Sequence, residues 1–277
     1  MSIYEKRGYL NSEFQLFHLT DAPMTEFEFH YHDFDKIVLF ISGKVNYMIE
    51  GKTYELKPYD IVFVSHNAIH RPEIDVTVPY ERIIVYISPS FIKDYRTGDY
   101  DLSYCFQKAE KENSNVLRMH TLGKTTLFDS VVALEQSFSD SSYASSLYRQ
   151  LLFLEFMIHL NRAALSNDLE YLNTSTCNSK IMDLLAYINE HLAEDLSIDH
   201  LAQTFYISRY HMMRLFKEEM GYTIGNYISY KRLSLAKELI EKGMPVTQAC
   251  LDCGFKDYST FSRAYKKRFG HSVTGDR

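Results

Sequence analysis

The feature that most constrains this chain is an internal repeat in about its last hundred residues. Two stretches, SIDHLAQTFYISRYHMMRLFKEEMG and VTQACLDCGFKDYSTFSRAYKKRFG, align at an offset of 48 residues that becomes 49 within a turn. The matched pairs are Ala202 with Cys250, Ile207 with Phe255, Met212 with Phe261, Arg214 with Arg263, Lys217 with Lys266 and Gly221 with Gly270. The fold must therefore use one structural unit twice.

Each copy contains an apolar helix, a short turn and a second helix with a basic face, which is the pattern of a helix-turn-helix motif. The segment between the copies, IGNYISYKRLSLAKELIEKG, has apolar residues at amphipathic helical spacing. It predicts a connecting helix that holds the two motifs at a fixed separation. In such motifs the second helix enters the major groove of DNA, so the repeat predicts nucleic-acid binding.

The charge of the chain is divided unequally between its halves. Net charge is −6, but residues 180–277 contain 14 Lys plus Arg against 12 Asp plus Glu, and the remainder contains 16 against 24. Within the C-terminal half, KDYSTFSRAYKKR (256–268) carries five positive charges and one negative. This local density favours contact with phosphates although the chain as a whole is acidic.

The N-terminal half has a different periodicity. The 277 residues suffice for two compact domains. Short β-branched and aromatic runs are separated by turn residues across residues 14–87: FQLFHL, EFEFH, KIVLFIS, VNYMIE, DIVFVS and RIIVYIS. They predict a β-sandwich or small barrel, and hence a two-domain α+β protein with an all-α C-terminal domain.

From about Thr121 the pattern becomes helical. Leu147, Leu151, Leu154 and Ile158 recur at spacings of four, three and four, which suits a partner helix. Two interpretations stay open: the helix packs wholly inside its own subunit, or this face pairs with a second subunit. We predict a β domain at 1–120, a helical dimerisation segment at 121–165, a linker at 166–179 and a DNA-binding domain at 180–277.

Several fixed positions resemble the AraC/XylS family of bacterial transcription regulators. They are Arg232, Ala236, Leu239 and Ile240, then Cys253-Gly254-Phe255, Ser259, Phe261-Ser262-Arg263, Tyr265-Lys266 and Phe269-Gly270. The resemblance implies two helix-turn-helix motifs that read successive major-groove segments of double-stranded DNA. It implies base-edge contacts by Tyr210, Met213 and Arg214 in the first motif and by Tyr258, Ser259, Ser262 and Arg263 in the second, with phosphate contacts by Lys217, Lys256, Lys266 and Lys267.

Each of these residues also has a simpler interpretation. Basic residues on a helix usually form a solvated face, but Arg214 and Arg263 recur at the same place in both copies. Cys250 and Cys253 have the spacing of a zinc or redox pair, but no second pair accompanies them. We expect these thiols in the core.

Two departures from the family pattern concern support of the motifs. Tyr206 stands in the first turn where small residues are common, and we expect it to need a different turn geometry. At the C-terminus, Val273 replaces a Pro that would begin a last helix, and Asp276 replaces an aromatic residue. We expect that helix to be weak or frayed.

Two N-terminal stretches, HYHDFDKIVLFISG and KPYDIVFVSHNAIHRP, resemble the two motifs of cupins. In metal-binding cupins a Glu follows the histidine pair, but Lys36 stands there in this chain, with Asp33 and Asp35 out of step. Because an ammonium repels a divalent cation, we expect no metal and no cofactor. We expect a cupin-like β-barrel whose ligand pocket is formed by His30, His32, Lys36, Tyr47 and His70. Any one of these histidines alone is more often a surface or strand-end residue, and His66 is expected in a loop.

The sequence therefore predicts a transcription regulator and not an enzyme. We expect an activator controlled by a small polar metabolite such as a sugar, acting as a homodimer, with RNA polymerase as a further partner. The alternatives are a metal-dependent cupin enzyme with a helical appendage and a regulator controlled by a partner protein. The sequence lacks a signal peptide and any run of about 18 uncharged apolar residues. With only four cysteines, these features favour a cytoplasmic protein without a membrane partner.

Overall fold

The computed structural model describes residues 5–6, 8–21, 27–119, 125–166, 169–173 and 178–273. The chain divides into two compact units, one comprising Ile3–Thr176 and the other containing Cys177–Arg277. The first is rich in β-strands and the second is helical. This confirms the predicted two-domain α+β class with an all-α C-terminal half.

The N-terminal unit is built on two β-sheets. Its strands are β1 (Glu5–Lys6), β2 (Phe14–Asp21), β3 (His30–Tyr31), β4 (Asp35–Ser42), β5 (Val45–Ile49), β6 (Lys52–Glu55), β7 (Ile61–Val64), β8 (His70–Ile74), β9 (Tyr80–Ile87), β10 (Val116–Arg118) and β11 (Glu170–Tyr171). The five-stranded sheet has the order β1-β3-β8-β5-β6, and the six-stranded sheet has the order β11-β10-β7-β4-β9-β2. Together the sheets form the cupin-like β domain that the sequence predicts.

Strand β4 shows how alternation creates two cores from one sheet. Ile37 and Leu39 join a core that includes helical residues, whereas Val38 and Phe40 join the core shared by residues of both sheets. Successive side chains of a strand point to opposite faces, so an almost uninterrupted apolar run covers both sides of the sheet. Lys36 has the same parity as Val38 and is directed away from the helical core.

Within its described residues, the N-terminal unit has four helices: α1 (Pro89–Lys93), α2 (Tyr104–Lys111), α3 (Thr126–Ser137) and α4 (Ser145–Leu165). Helix α4 buries Phe153, Phe156 and Leu160. The Phe153 ring stacks on Phe14 of β2, with 4.2 Å between centroids. One face of α4 is thus part of the core of its own subunit.

One predicted strand is largely absent, and the two observed strands that pair with β5 were not predicted. In EFEFH only His30 is in a strand and 27–29 have no regular structure, while residue 26 lies outside the described residues. Strands β6 (KTYE) and β8 (HRPEI) were not predicted because each is short and charged, and β8 contains a proline. The extended conformation of both strands depends on pairing with β5. For β8 this pairing is a long-range contact, which the local pattern of apolar residues does not reveal.

The predicted linker at 166–179 is too long. Glu170 and Tyr171 pair with Arg118 and Leu117 of β10 and so belong to the six-stranded sheet. A polar composition suggested a connecting segment, but backbone pairing at a sheet edge does not require apolar side chains.

The C-terminal unit contains helices α5 (Ser179–Glu190), α6 (Ile198–Thr204), α7 (Arg209–Met220), α8 (Ile224–Glu241), α9 (Val246–Asp252) and α10 (Tyr258–Phe269). The side chains of Ser208 and Asp257 cap α7 and α10 by accepting hydrogen bonds from His211 N and Thr260 N. Gly221 and Gly270 end the same two helices in the left-handed conformation. The repeat is thus two helix pairs, α6–α7 and α9–α10, joined by α8.

The structure locates the change of offset between the copies. The turn between α6 and α7 comprises residues 205–208, whereas the turn between α9 and α10 comprises residues 253–257 and has one residue more. Helices α7 and α10 each have 12 residues and correspond at an offset of 49. Cys250 and Cys253 are buried in the second motif's core, and burial raises the pKa of Cys253 to about 12.

Candidate nucleic-acid interface and buried polar cluster

Helix α7 presents one mixed polar and apolar face to solvent. Tyr210, Met213, Arg214 and Lys217 are exposed, Tyr210 to 75%. Met212, Phe216 and Met220 are buried on the opposite side. The spacing of the exposed set, i, i+3, i+4 and i+7, places it on a single helix face. The structure therefore brings together all four residues predicted for the first motif.

Helix α10 exposes the corresponding set of the second motif. Tyr258, Ser259, Arg263, Lys266 and Lys267 are exposed and Ser262 is partly so. Lys256 is exposed in the preceding turn. Phe261 and Tyr265 are buried and hold the helix against its neighbours. The C-terminal half of this helix thus offers cationic groups to a phosphate backbone.

Sequence reasoning missed one exposed arginine. Arg209 is the first residue of α7 and corresponds to Tyr258, the first residue of α10. Its Nη1 lies 2.7 Å from Asp199 Oδ1. The offset of 49 residues aligns Arg209 with Tyr258, but this alignment is clear only once the second turn is known to be one residue longer.

The two motifs are joined through Arg232 of α8. Its guanidinium donates hydrogen bonds to Leu192 O (2.8 Å), Glu194 O (2.7 Å) and Gly254 O (2.8 Å). Gly254 lies in the turn of the second motif, and the other two carbonyls follow α5. We define these contacts as the Arg232 clamp.

The two turns, although they differ in length, share a left-handed residue at one equivalent position. Tyr206, 97% exposed, has φ +51°, and Gly254, 48 residues later, has φ +80°. At this one position the tyrosine adopts the left-handed conformation that Gly254 adopts, whereas the expected difference from the family's turn geometry stays a prediction. Exposure removes any packing obstacle to the left-handed conformation.

The altered C-terminus is described only in part. Val273 is buried and packs in the core of the second motif. It therefore supplies apolar contact in place of the expected proline. The prediction of a weak or frayed last helix concerns residues, including Asp276, that lie outside the described part of the chain.

The five predicted pocket residues come together in the N-terminal unit, and all are buried. Ring centroids are 5.1 Å apart for His30 and His32, 4.3 Å for His30 and His70, and 4.9 Å for His32 and His70. Strand pairing explains part of this, because His30 of β3 lies directly opposite His70 of β8. We call His30, His32, Lys36, Tyr47 and His70 the polar cluster.

Backbone contacts fix two imidazole orientations. His30 Nδ1 lies 2.8 Å from Glu28 O and His70 Nδ1 lies 3.0 Å from Ala68 O. A carbonyl only accepts, so each Nδ1 donates its N–H. Burial first, then nearby Lys36, holds the pKa of His70 well below its usual range. His70 is therefore neutral near pH 7.

Lys36 and Tyr47 contribute donors. Lys36 Nζ lies 3.5 Å from His70 Nε2, and burial, followed by repulsion from Arg82, lowers its pKa to about 7. The Tyr47 ring is parallel to that of His70 at 6.1 Å. Burial raises the pKa of Tyr47, and its buried Oη has no hydrogen-bond partner among the described residues. The phenol is thus a protonated donor, and a buried donor normally has an acceptor.

The cluster has ligands for a metal but also an opposing charge. One nitrogen from each of the three histidines lies within 4.8 Å of the others, and within the described ranges no carboxylate completes this group. Asp35 instead accepts from His66 N (2.7 Å) and lies 2.8 Å from His66 Nδ1. A protonated Lys36 beside His70 repels a cation. The cluster is better suited to a polar organic ligand.

Helix α4 has an exposed apolar row opposite its buried face. Leu147 and Leu151 are each 56% exposed and Ile158 is 40% exposed, while Leu154 is partly buried. Exposed apolar side chains in one row indicate a contact surface more than scattered ones do. No helix within the described ranges is both long and apolar enough to cross a membrane.

A β domain enclosing a polar cluster, joined to a unit with two helix-turn-helix motifs, defines a ligand-binding DNA-binding regulator. Comparison with known proteins agrees. The AraC-like ligand binding domain model matches residues 15–152, and a helix-turn-helix domain model matches residues 201–277. The chain belongs to the AraC family of transcription regulators and is not an enzyme.

Two relatives illustrate the likeness. The chain is 25% identical over 256 residues to the HTH-type transcriptional activator RhaS of Escherichia coli O139:H28 (strain E24377A / ETEC), covering 90% of this chain and 87% of that protein. Among solved structures, ToxT from Vibrio cholerae is 15% identical with a TM-score of 0.37, covering 95% of this chain and 97% of that one.

Proposed function

We propose that this regulator is an activator whose DNA binding is controlled by a small hydroxylated metabolite, such as a sugar, held in the polar cluster. The observation that carries the proposal is the complementary set of buried donors and acceptors. Nε2 of neutral His70 can accept from a hydroxyl in place of Lys36 Nζ, 3.5 Å away, whereas Lys36 and Tyr47 can donate to hydroxyl oxygens. Hydroxyls both donate and accept, so a polyol satisfies the whole set.

Control by such a ligand requires two states of the protein. The ligand shifts their populations only by the difference in its affinity for them. An activator of this kind acts in the cytoplasm, where it reaches the DNA and also contacts RNA polymerase. Family membership supports these roles.

A thermal-shift screen of the full-length protein tests the effector. We expect a neutral sugar or other polyol to raise the unfolding temperature of the wild type, and Lys36→Met to reduce the shift. Lys44→Met is the matched control, because Lys44 is highly exposed and pairs with Asp75 at 3.3 Å. If no small molecule in the screen stabilises the protein, the alternative is favoured, namely that a partner protein controls this regulator.

The DNA interface is proposed on the exposed faces of α7 and α10. Arg214 and Arg263 can each form paired hydrogen bonds to a guanine, and Met213 can contact a thymine methyl. Tyr210, Tyr258, Ser259 and Ser262 are the remaining base-edge candidates. Lys217, Lys256, Lys266 and Lys267 are proposed to contact phosphates, which position the protein without specifying sequence.

Selection of bound DNA from a random pool by the full-length protein tests this interface. Arg263→Ala should cost about 1–3 kcal/mol at one base pair of the selected site and relax specificity there. Equal weakening on all DNA sequences would show that Arg263 contacts phosphate only.

We further propose a homodimer formed through the α4 row of Leu147, Leu151, Leu154 and Ile158. The occupant of this surface is a second copy of α4, since spacings of four, three and four residues suit pairing with a like helix. A dimer joins two weak DNA sites into one tight site without new contacts to DNA. Sedimentation of the full-length protein tests the oligomeric state, and a monomer at micromolar concentration would refute the proposal.

A further inference from the structure

The two helix-turn-helix motifs differ in charge. Residues 198–221 contain three basic and three acidic residues, whereas residues 246–270 contain five basic and two acidic residues. In the recognition helices the contrast is stronger, because α7 includes Glu218 and Glu219 while α10 has no acidic residue. Equal roles in binding a polyanion are therefore not expected.

The acidic residues of the first motif hold its arginines. Arg209 Nη1 lies 2.7 Å from Asp199 Oδ1. Arg214 Nη1 lies 2.9 Å and 3.3 Å from the two carboxylate oxygens of Glu218. Both ion pairs are exposed, so each is weak and can be exchanged.

The second motif leaves its cations available. Arg263 Nε donates to Ser259 O at 3.2 Å. In the part of the chain that the structure describes, no carboxylate forms an ion pair with Arg263, Lys266 or Lys267. Arg268 is the one basic residue of α10 that is not available to a ligand, because its side chain is half-buried and donates to Ser234 Oγ.

Arg209 occupies a position from which a recognition helix contacts DNA. It begins α7 as Tyr258 begins α10, and the N-terminal residues of such a helix are those that contact base edges. Its side chain is exposed, and Asp199 of α6 directs its guanidinium.

We infer that the two motifs divide the electrostatic work of DNA binding. The second motif supplies most of the salt-dependent affinity, and the first, besides the phosphate contact proposed for Lys217, contacts DNA through Arg209 and Arg214 after each exchanges its carboxylate partner for a group on DNA. This inference rests on the proposed placement of α7 and α10 in the major groove. It assigns to Arg209 a role in DNA contact and to Asp199 and Glu218 the role of competitors.

The physical reason lies in counterion release. A cation that neutralises a phosphate releases condensed ions, which steepens the dependence of log K on log salt by about 0.9 per phosphate. Salt also screens the arginine–carboxylate ion pair that the arginine must leave in order to reach DNA. Rising salt therefore lowers the cost of leaving the carboxylate while it weakens the contact with DNA, so the two effects oppose each other and the contact contributes little salt dependence.

Salt titrations of the full-length protein on its selected DNA site test this division. Lys266→Ala and Lys267→Ala should each lower the slope by about one. Arg209→Ala should lower it by less than about half that amount in the wild type. Asp199→Asn should steepen the slope by about one, and adding Arg209→Ala should remove that gain.

Glu218 and Glu219 provide a matched pair for the second arginine. Glu218→Gln removes a charge and the ion pair with Arg214, whereas Glu219→Gln removes an equal charge from the same helix turn without breaking that ion pair. We expect a steeper slope for Glu218→Gln than for Glu219→Gln. Circular dichroism melts confirm that each variant is folded.

Three results overturn the inference. They are a full one-unit loss of slope for Arg209→Ala in the wild type, an unchanged slope for folded Asp199→Asn, and equal slopes for the two glutamine variants. An unchanged slope for Lys266→Ala would overturn the part assigned to the second motif, and with it the placement of α10. None of these results depends on the effector, so the proposed ligand control is tested separately.

Discussion

Substitution of Gly254 by alanine tests the closest backbone approach in the DNA-binding unit. A Cβ at this position would lie 2.5 Å from Leu192 O and 2.9 Å from Arg232 Cζ and Nη2. The residue also has φ +80°. Alanine would thus meet a steric clash and an unfavourable backbone conformation together, at the centre of the Arg232 clamp.

The expected loss of stability follows from these two costs. The left-handed conformation costs a non-glycine residue about 1–2 kcal/mol, and forced displacement of packed groups costs about 1–3 kcal/mol. We therefore expect Gly254→Ala to lower the free energy of unfolding by roughly 2–4 kcal/mol. In a unit of this size that corresponds to a fall in Tm of at least about 8 °C.

Thermal melts followed by circular dichroism at a helix-sensitive wavelength measure this change in the full-length protein. The control is Tyr206→Gly, the equivalent substitution in the first turn. It relieves a left-handed tyrosine but adds flexibility to the unfolded chain, so its net effect should be within about 1 kcal/mol of zero. A Gly254→Ala variant as stable as the wild type would show that Leu192 O does not approach the turn and that the clamp is wrongly described.

Three further predictions concern the N-terminal unit. Leu151→Glu should place a charge in the proposed dimer surface, and sedimentation should then show monomers. The control is Tyr143→Glu, at a fully exposed site outside the row, which should remain dimeric. If both variants remain dimers, the dimer contact lies elsewhere. Lys36→Glu should supply the missing carboxylate and create zinc affinity measurable by calorimetry; absence of binding would contradict the geometry of the three histidines. Burial lowers the pKa of Lys36 from 10.5 to about 7. Between these two pH values the unfolded chain holds a proton on Lys36 that the folded chain has lost. The free energy of unfolding, compared with that of Lys36→Met, should therefore rise with pH across this window. A pH-independent difference in urea unfolding would refute the lowered pKa.

The helical half was largely predictable because its signals are local. The caps at Ser208 and Asp257 and the terminal glycines Gly221 and Gly270 lie within each helix-turn-helix copy. Apolar periodicity determines which helix face is buried. The exposed faces of α7 and α10 followed directly from the repeat.

Features that depend on distant contacts were not predictable. Strand β8 obtains its conformation from pairing with β5, and the ion pair of Arg209 requires Asp199 from another helix. The histidine cluster was predicted from its resemblance to cupin motifs, but the backbone carbonyls that orient His30 and His70 were not. Such contacts depend on tertiary structure, which local periodicity does not encode.

The Arg232 clamp has a consequence for how this protein can change. All three of its acceptors are main-chain carbonyls, which every residue type possesses. The joint between the two motifs therefore places no chemical demand on the side chains at Leu192 and Glu194. Residues on the exposed faces of α7 and α10 lie outside the joint. If these faces contact DNA as proposed, substitutions there would alter which DNA sequence is bound while the spacing between the two helix-turn-helix motifs stays unchanged.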